Sequence, residues 1–429
     1  MKKNVSTPSE SESRRSPFRR FLSLLGPGVI TGAADDDPSG IVTYSIAGAQ
    51  FGTSLLWTSL LTWPLMSAVQ MMCARIGMVS GLGLAGALRK KFPRPLLVVA
   101  SLALFVANTI NISADLSGMA DVMRLLTGVD ARLFIVIFGA GIAFATVRFS
   151  YPAIANILKW LAGLLFAYVI TGFIVRPNWH TILAATFLPT WPTGHAQWAM
   201  LVAILGTTIS PYLFFWQASQ EIEEEKKKGR RTTASRRGAS LSELNDRAID
   251  VGVGTFFSNL IMYFIILTTA VTLHQHGITK IETSRDAVRA LEPLAGTFSS
   301  LLYATGLVGV GFLAIPTLAG SSAYAFSETF AWRQGLDQKP RRAKAFYGSL
   351  VCSVAIGIVL TFVGIKPMDA LFLTAVINGI LAPFLLVGII LVAADSVIMQ
   401  QQPSSPLSLI VVGITTLGMF GAAIALFVL

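Results

Sequence analysis

Charge is scarce in this chain. Only 13% of its 429 residues are Asp, Glu, Lys or Arg, while 53% are hydrophobic and the mean hydropathy is +0.66. A soluble domain carries about 25% charged residues, so there is too little polar side chain here to cover a water-facing surface. Cysteine is scarcer still. Cys73 and Cys352 both fall in long apolar runs, which excludes a disulfide framework or a cysteine metal site and marks both as buried packing residues. The four histidines, His180, His195, His274 and His276, lie in or beside connecting segments, so no His-rich zinc site is readable. Without a nucleophile–base set or a His cluster, a membrane-embedded enzyme has no support.

What the chain has is apolar length. Eleven stretches come close to the roughly 20 residues that a bilayer core requires: 21–50, 55–76, 96–126, 133–147, 153–175, 198–219, 251–273, 298–330, 346–363, 371–394 and 407–429. A lipid core offers no water to backbone groups, so each stretch should be helical and the fold an all-α integral membrane protein. Residues 1–20 read as a disordered tail. A cleaved signal peptide is disfavoured, because the first apolar run contains Gly26-Pro27-Gly28 and apolar character resumes at Ile41.

The sparse charges are sorted. With the tail placed inside, inner segments hold 26 Lys and Arg and outer segments 7. That split follows the positive-inside rule and predicts a cytoplasmic N-terminus and, after eleven spans, an extracytoplasmic C-terminus. The net charge of +11 is therefore read as orientation, not as a nucleic-acid footprint. The basic segment 220–248 reads as a solvated cytoplasmic loop, with attraction to anionic lipid headgroups as the sharper alternative.

Two spans are interrupted. The first carries Asp35-Asp36-Asp37-Pro38-Ser39-Gly40, three carboxylates at a depth where charge is costly. Pro38 cannot donate to a helix and disfavours helix at Asp37. The sixth carries Gly206-Thr207-Thr208-Ile209-Ser210-Pro211-Tyr212. Spans one and six are equivalent in a five-plus-five arrangement, and paired Pro/Gly interruptions point to a transporter's central site. Unwinding frees carbonyl oxygens, and carbonyls with a carboxylate suit a hard cation. Pro64, Pro316 and Pro383 are expected only to kink their helices.

At these residues the chain resembles the NRAMP family of divalent-metal transporters. Leu25-Gly26-Pro27-Gly28, Asp37-Pro38-Ser39-Gly40, Ile112-Ser113-Ala114-Asp115-Leu116 and Asn378-Gly379 through Pro383 carry the resemblance. It implies a LeuT-like inverted repeat, with repeat one over 21–176, repeat two over 197–396 and an additional helix over 407–429. The family's Asp-Pro-Gly-Asn has Gly40 at its Asn position, and its Met-Pro-His-Asn reads Ser210-Pro211-Tyr212-Leu213. Its third-helix glutamate falls on Gly118, while Asp115 is kept. This pattern looks like the magnesium-transporter branch. Losing a soft thioether ligand removes a preference for transition metals.

The resemblance implies a mostly hydrated Mg²⁺ (with Mn²⁺ also passing) held by Asp37, the carbonyls of Ala34 and Thr207 and the Ser210 hydroxyl. Gly40 would leave room for water, Tyr212 would line the site and Asn378 would add an oxygen. Asp35 and Asp36 would line a vestibule, and Asp115 would serve protons or gating. With the other proton groups gone, coupling is expected to be weak or absent. The alternatives are a proton-coupled Mn²⁺/Fe²⁺ symporter and a sodium-coupled amino-acid carrier of the same architecture. The metal is substrate, not cofactor. Expected partners are the ion and the plasma-membrane bilayer, with no nucleic acid and a monomeric or weakly oligomeric state.

Three further features are read as incidental. Gly81-Leu82-Gly83-Leu84-Ala85-Gly86 matches a nucleotide fingerprint but follows no strand, and is taken as a flexible loop. The sequon Asn111-Ile112-Ser113 lies inside a span. The acidic run from Glu221 to Glu225 reads as a solvated helix end paired with the basic run that follows, and Glu328 similarly, with a cation-attracting inner vestibule as the alternative.

Overall fold

The structure, a computed structural model, describes residues 26–149 and 163–428. The expected tail, the start of span one and the first part of span five lie outside the described residues. Among the described residues every regular element is helical.

The first span is two helices, α1 (Pro27–Asp35) and α2 (Pro38–Phe51). They are followed by α3 (Trp57–Ser80), the short α4 (Leu84–Leu88), α5 (Arg94–Thr127), α6 (Ala131–Arg148) and α7 (Phe166–Ile174). The sixth span is again two helices, α8 (His195–Thr208) and α9 (Pro211–Lys227). Then come α10 (Leu241–Thr272), α11 (Ser299–Phe330), α12 (Lys344–Thr361), α13 (Pro367–Ala393) and α14 (Pro406–Val428). Eight helical segments among the described residues are long and apolar enough to cross a membrane, and α1 with α2, α3 and α7 lie outside that set. Pro64, Pro316 and Pro383 sit inside α3, α11 and α13, which run through them.

The two breaks share one backbone solution. Asp36 (φ −78°, ψ 55°) ends α1, Asp37 (φ −70°, ψ 170°) is extended, and Pro38 opens α2. Ile209 (φ −117°, ψ 58°) ends α8, Ser210 (φ −78°, ψ 134°) is extended, and Pro211 opens α9. Proline at the first helical position loses nothing, since that N–H has no intrahelical acceptor. Packing repeats the exchange: α1 and α2 lie on α10, as α9 lies on α3, and the long α5 and α11 lie against each other. A five-span repeat predicts this swap of partners.

Small residues and buried amides hold these helices, as expected where lipid provides no hydrophobic drive between them. Asn108 of α5 reaches the Leu318 carbonyl and the hydroxyls of Ser321 and Ser322 on α11 at 2.9–3.0 Å. Gly206 of α8 faces the Ala375 carbonyl and Gly379 backbone of α13, leaving no space for a Cβ. That contact sets α13 beside the second break.

At one end of the bundle the loops that follow α3, α9 and α13 are joined. Arg236 donates to the Gly81 carbonyl, Gln402 to the Ala239 carbonyl and Arg75 to the carbonyls of Gln402 and Pro403. Lys91 donates to Asp395 at 2.6 Å and holds that carboxyl below its ordinary range. The basic segments 89–94 and 226–247 thus share one end.

Several expectations need correction there. α10 starts ten residues before the expected 251, because Ser240 and Glu243 form a reciprocal capping box. With α9 running to Lys227, little of 220–248 remains as loop. The acidic run is paired with the basic residues that follow it, as expected, but it is buried rather than solvated, with Glu221, Glu223 and Glu225 all buried. They pair with Arg247, Lys226 and Arg230 respectively. Arg247 also bonds Glu224 and Asp250, and Asp250 accepts the amides of Gly26, Gly28 and Val29. This chain of charges ties the start of α1 to α9 and α10. Of the glycine-rich segment, Gly81 to Gly83 form a connection as expected, but Leu84 to Gly86 belong to the buried α4, where the Gly86 amide donates to Glu328 at 2.9 Å. Glu328 is accordingly buried. Cys73 is buried as expected, whereas Cys352 is exposed, on the outer surface of α12.

Gly206→Val would force α8 from α13. Overpacking of this kind costs about 1–3 kcal/mol, so the variant's melting temperature in detergent should fall by several degrees. An unchanged melting temperature would show that the backbone contact is dispensable.

Candidate functional site

The first break builds the site because three carboxylates follow one another just where the helix stops donating amides. Asp37 is the N-cap of α2, and its Oδ1 accepts the Gly40 amide at 2.7 Å. Its Oδ2 accepts Asn111 Nδ2 from α5 at 2.9 Å. Asp35 Oδ2 accepts the Ser258 hydroxyl of α10 at 2.6 Å, and Asp36 Oδ1 lies 3.3 Å from the same hydroxyl. The expected vestibule residues are therefore buried against α10 rather than lining an open mouth.

The second break meets the first. Tyr212, in the first turn of α9, donates its hydroxyl to the Ala34 carbonyl at 2.8 Å. Ser210 Oγ lies 2.6 and 2.7 Å from the carbonyls of Gly206 and Thr207, to which it donates. Thr207 Oγ1 donates to the Tyr44 hydroxyl oxygen at 2.9 Å, linking α8 to α2. Ala34, Asp35, Asp36, Asp37, Thr207, Ser210 and Tyr212 are all buried, and none of the polar ones is more than 3% exposed. The expected carbonyl oxygens of Ala34 and Thr207 thus already accept hydroxyls from the expected neighbours Tyr212 and Ser210.

Gly40 also sits where expected. A Cβ on it would stand 3.5 Å from Asp37 Oδ1, the Asp35 carbonyl and the Tyr44 ring, ordinary contacts all. The missing side chain is therefore one that would face Asp37. Gly118 differs: a Cβ there would come 2.9 Å from a Leu371 methyl, so α13 fills the place of a longer side chain. Asp115 lies one turn beyond Asn111 on the same helix, with both carboxylate oxygens buried and without a well-formed partner. Asn378, on α13 next to the Gly379 contact with α8, also has a buried, unpartnered Oδ1.

The arrangement is rich in acceptors and poor in donors. Unpartnered buried oxygens occur on Asp35, Asn111, Asp115 and Asn378. The two break segments, 35–40 and 206–212, contain no methionine, cysteine or histidine. Among the described residues no three His, Cys, Asp or Glu side chains form a ready metal cage. Such a site can hold a small hard cation only through a few oxygens, with water completing the shell.

Sequence reasoning missed Asn111, Ser258 and Tyr44. Asn111 had a signal: it precedes Asp115 by four residues and so shares its helix face. Ser258 and Tyr44 had none, since hydroxyl residues are common in membrane helices.

Comparison with known proteins identifies the family and the fold. The chain is 25% identical over 407 residues to the divalent metal cation transporter MntH of Caldanaerobacter subterraneus subsp. tengcongensis, covering 91% of this chain and 89% of that protein. It is 27% identical over 324 residues to MntH of Yersinia pestis, covering 72% of this chain and 74% of that one. Among solved structures, the Eremococcus coleocola manganese transporter in complex with an aromatic bis-isothiourea compound superposes with a TM-score of 0.69 at 17% identity, covering 99% and 97% of the two chains. MhsT in complex with L-phenylalanine superposes with a TM-score of 0.59 at 15% identity, covering 92% and 98%, a likeness of fold. These neighbours place the chain in the LeuT-like fold. The relatives matched in sequence are transporters rather than enzymes. The model of the natural resistance-associated macrophage protein-like family matches residues 28–429, and the chain belongs to that family.

Proposed function

We propose that this protein imports divalent cations across the plasma membrane by alternating access, taking hydrated Mg²⁺ in preference and also passing Mn²⁺, with weak or no proton coupling. The observation that carries the reading is the oxygen-only pair of breaks, where Asp37 is held by Gly40 and Asn111 and neither 35–40 nor 206–212 contains a methionine, cysteine or histidine. Thioether ligands favour softer transition metals, and their absence leaves hard oxygen chemistry. Mg²⁺ sheds water reluctantly and is bound through one or two carboxylates with several waters retained.

The transport core is then 21–396, in repeats 21–176 and 197–396, with 407–429 as an eleventh span. The shared end of the basic loops is the cytoplasmic one, so the N-terminus lies inside and the C-terminus outside. The three carboxylates would repel the carboxylate of an amino-acid substrate.

A second reading, proton-coupled Mn²⁺ symport, draws on one observation. Asp115 is a buried carboxylate without a well-formed partner, the chemistry a proton carrier needs. Against it, the place where the family has a glutamate is Gly118, packed on Leu371.

Proteoliposomes with a metal indicator and an internal pH dye separate the readings. Mg²⁺ uptake with little change in internal pH is expected, and Asp37→Ala should abolish uptake of both metals. Metal-driven acidification lost in Asp115→Asn would establish the symport reading instead. Ser210→Met should shift the ratio of Mn²⁺ to Mg²⁺ uptake toward Mn²⁺ by about tenfold, an energy near 1.4 kcal/mol. An unchanged ratio would show that position 210 does not touch the ion.

A further inference from the structure

Asn111 belongs to α5, whose Asn108 is anchored on α11, so it is carried by a helix that is not itself broken. Its side chain is fully buried. One end of the amide is explained: Nδ2 donates to Asp37 Oδ2 at 2.9 Å. The other is not, because Oδ1 is buried with no donor. The orientation of the amide is fixed by chemistry, since a carboxylate oxygen accepts from the NH₂ end and repels the carbonyl end. Asn111 is thus a bifunctional group with its donor spent on Asp37 and its acceptor free.

We propose that Asn111 determines the specificity of the cation site: Nδ2 orients Asp37, and Oδ1 accepts a hydrogen bond from a water bound to the ion. This rests on the reading of the first break as the cation site. Metal-bound water is a strong donor, and an amide oxygen is a matched acceptor that adds no charge. An ion that keeps its waters gains from such an acceptor, whereas an ion that exchanges them readily gains less. The contact therefore favours Mg²⁺ over Mn²⁺.

The test measures concentration-dependent uptake of Mg²⁺ and Mn²⁺ in proteoliposomes for the full chain, Asn111→Leu, Asn111→Gln and Asp37→Ala. Asn111→Leu removes both roles and should raise KM for Mg²⁺ by about tenfold, as expected for a lost hydrogen bond to a charged partner. The rise for Mn²⁺ should be smaller, and the change should fall on KM more than on the maximal rate. Asn111→Gln keeps both the donor and the neutral acceptor, so its KM for Mg²⁺ should lie nearer the unsubstituted protein's than that of Asn111→Leu. An unchanged KM in Asn111→Leu, or an Asn111→Gln variant as impaired as Asn111→Leu, overturns the proposal. Asp37→Ala keeps these outcomes distinct, because undiminished uptake there rejects the cation site itself. If Asn111→Leu does not elute as a monodisperse species, Asn111→Ser in the same assay decides: a reduced Mg²⁺-over-Mn²⁺ preference supports the proposal and an unchanged one rejects it.

Discussion

Three adjacent carboxylates closed off from water need donors or a cation, and this structure supplies few donors. Ser258 serves Asp35 and Asp36 together, and Asp37 receives one amide from Gly40 and one from Asn111. Taking a carboxylate out of water costs several kcal/mol even after the surroundings relax. The fold meets that cost by bringing α2, α5, α9 and α10 around a single point of broken helix. Removing the break would restore backbone hydrogen bonds within the first span, but it would also remove the only place where these groups converge.

The second break has the same backbone as the first and a different chemistry. Asp37 and Ser210 occupy matching extended positions before matching prolines. The carboxylate turns forward to cap its own helix, while the hydroxyl turns back onto the carbonyls of Gly206 and Thr207. One half therefore contributes charge and the other contributes neutral oxygen. Tyr212 joins them by reaching from α9 to the Ala34 carbonyl. A repeat that had kept a carboxylate at both positions would double the desolvation problem without adding geometry.

The breaks were legible because their cause is local: Pro38 and Pro211 remove a donor wherever they stand, and the residues beside them are read directly. The same holds for the run of apolar spans. What the sequence hid was long-range. Asn111 lies 74 residues from Asp37, and Ser258 lies 223 from Asp35. Asn111 was set aside as part of a sequon buried in a span, a pattern match that carried no chemistry there. The early start of α10 was readable in principle from Ser240 and Glu243, but the hydrophobic count began only where charge ended. At the acidic end of α9 the pairing with the basic run was legible and the burial was not: Glu221, Glu223 and Glu225 look solvated until Arg247, Lys226 and Arg230 fold over them.

The central claim is that the ion at the first break keeps much of its water. Mn²⁺ can report on this directly through electron–nuclear double resonance on the loaded protein, comparing H₂O with D₂O. The account predicts several exchangeable water ligands, no nitrogen or sulfur coupling, and loss of the bound signal in Asp37→Ala. A dehydrated shell, or coupling to nitrogen from the protein, would contradict it.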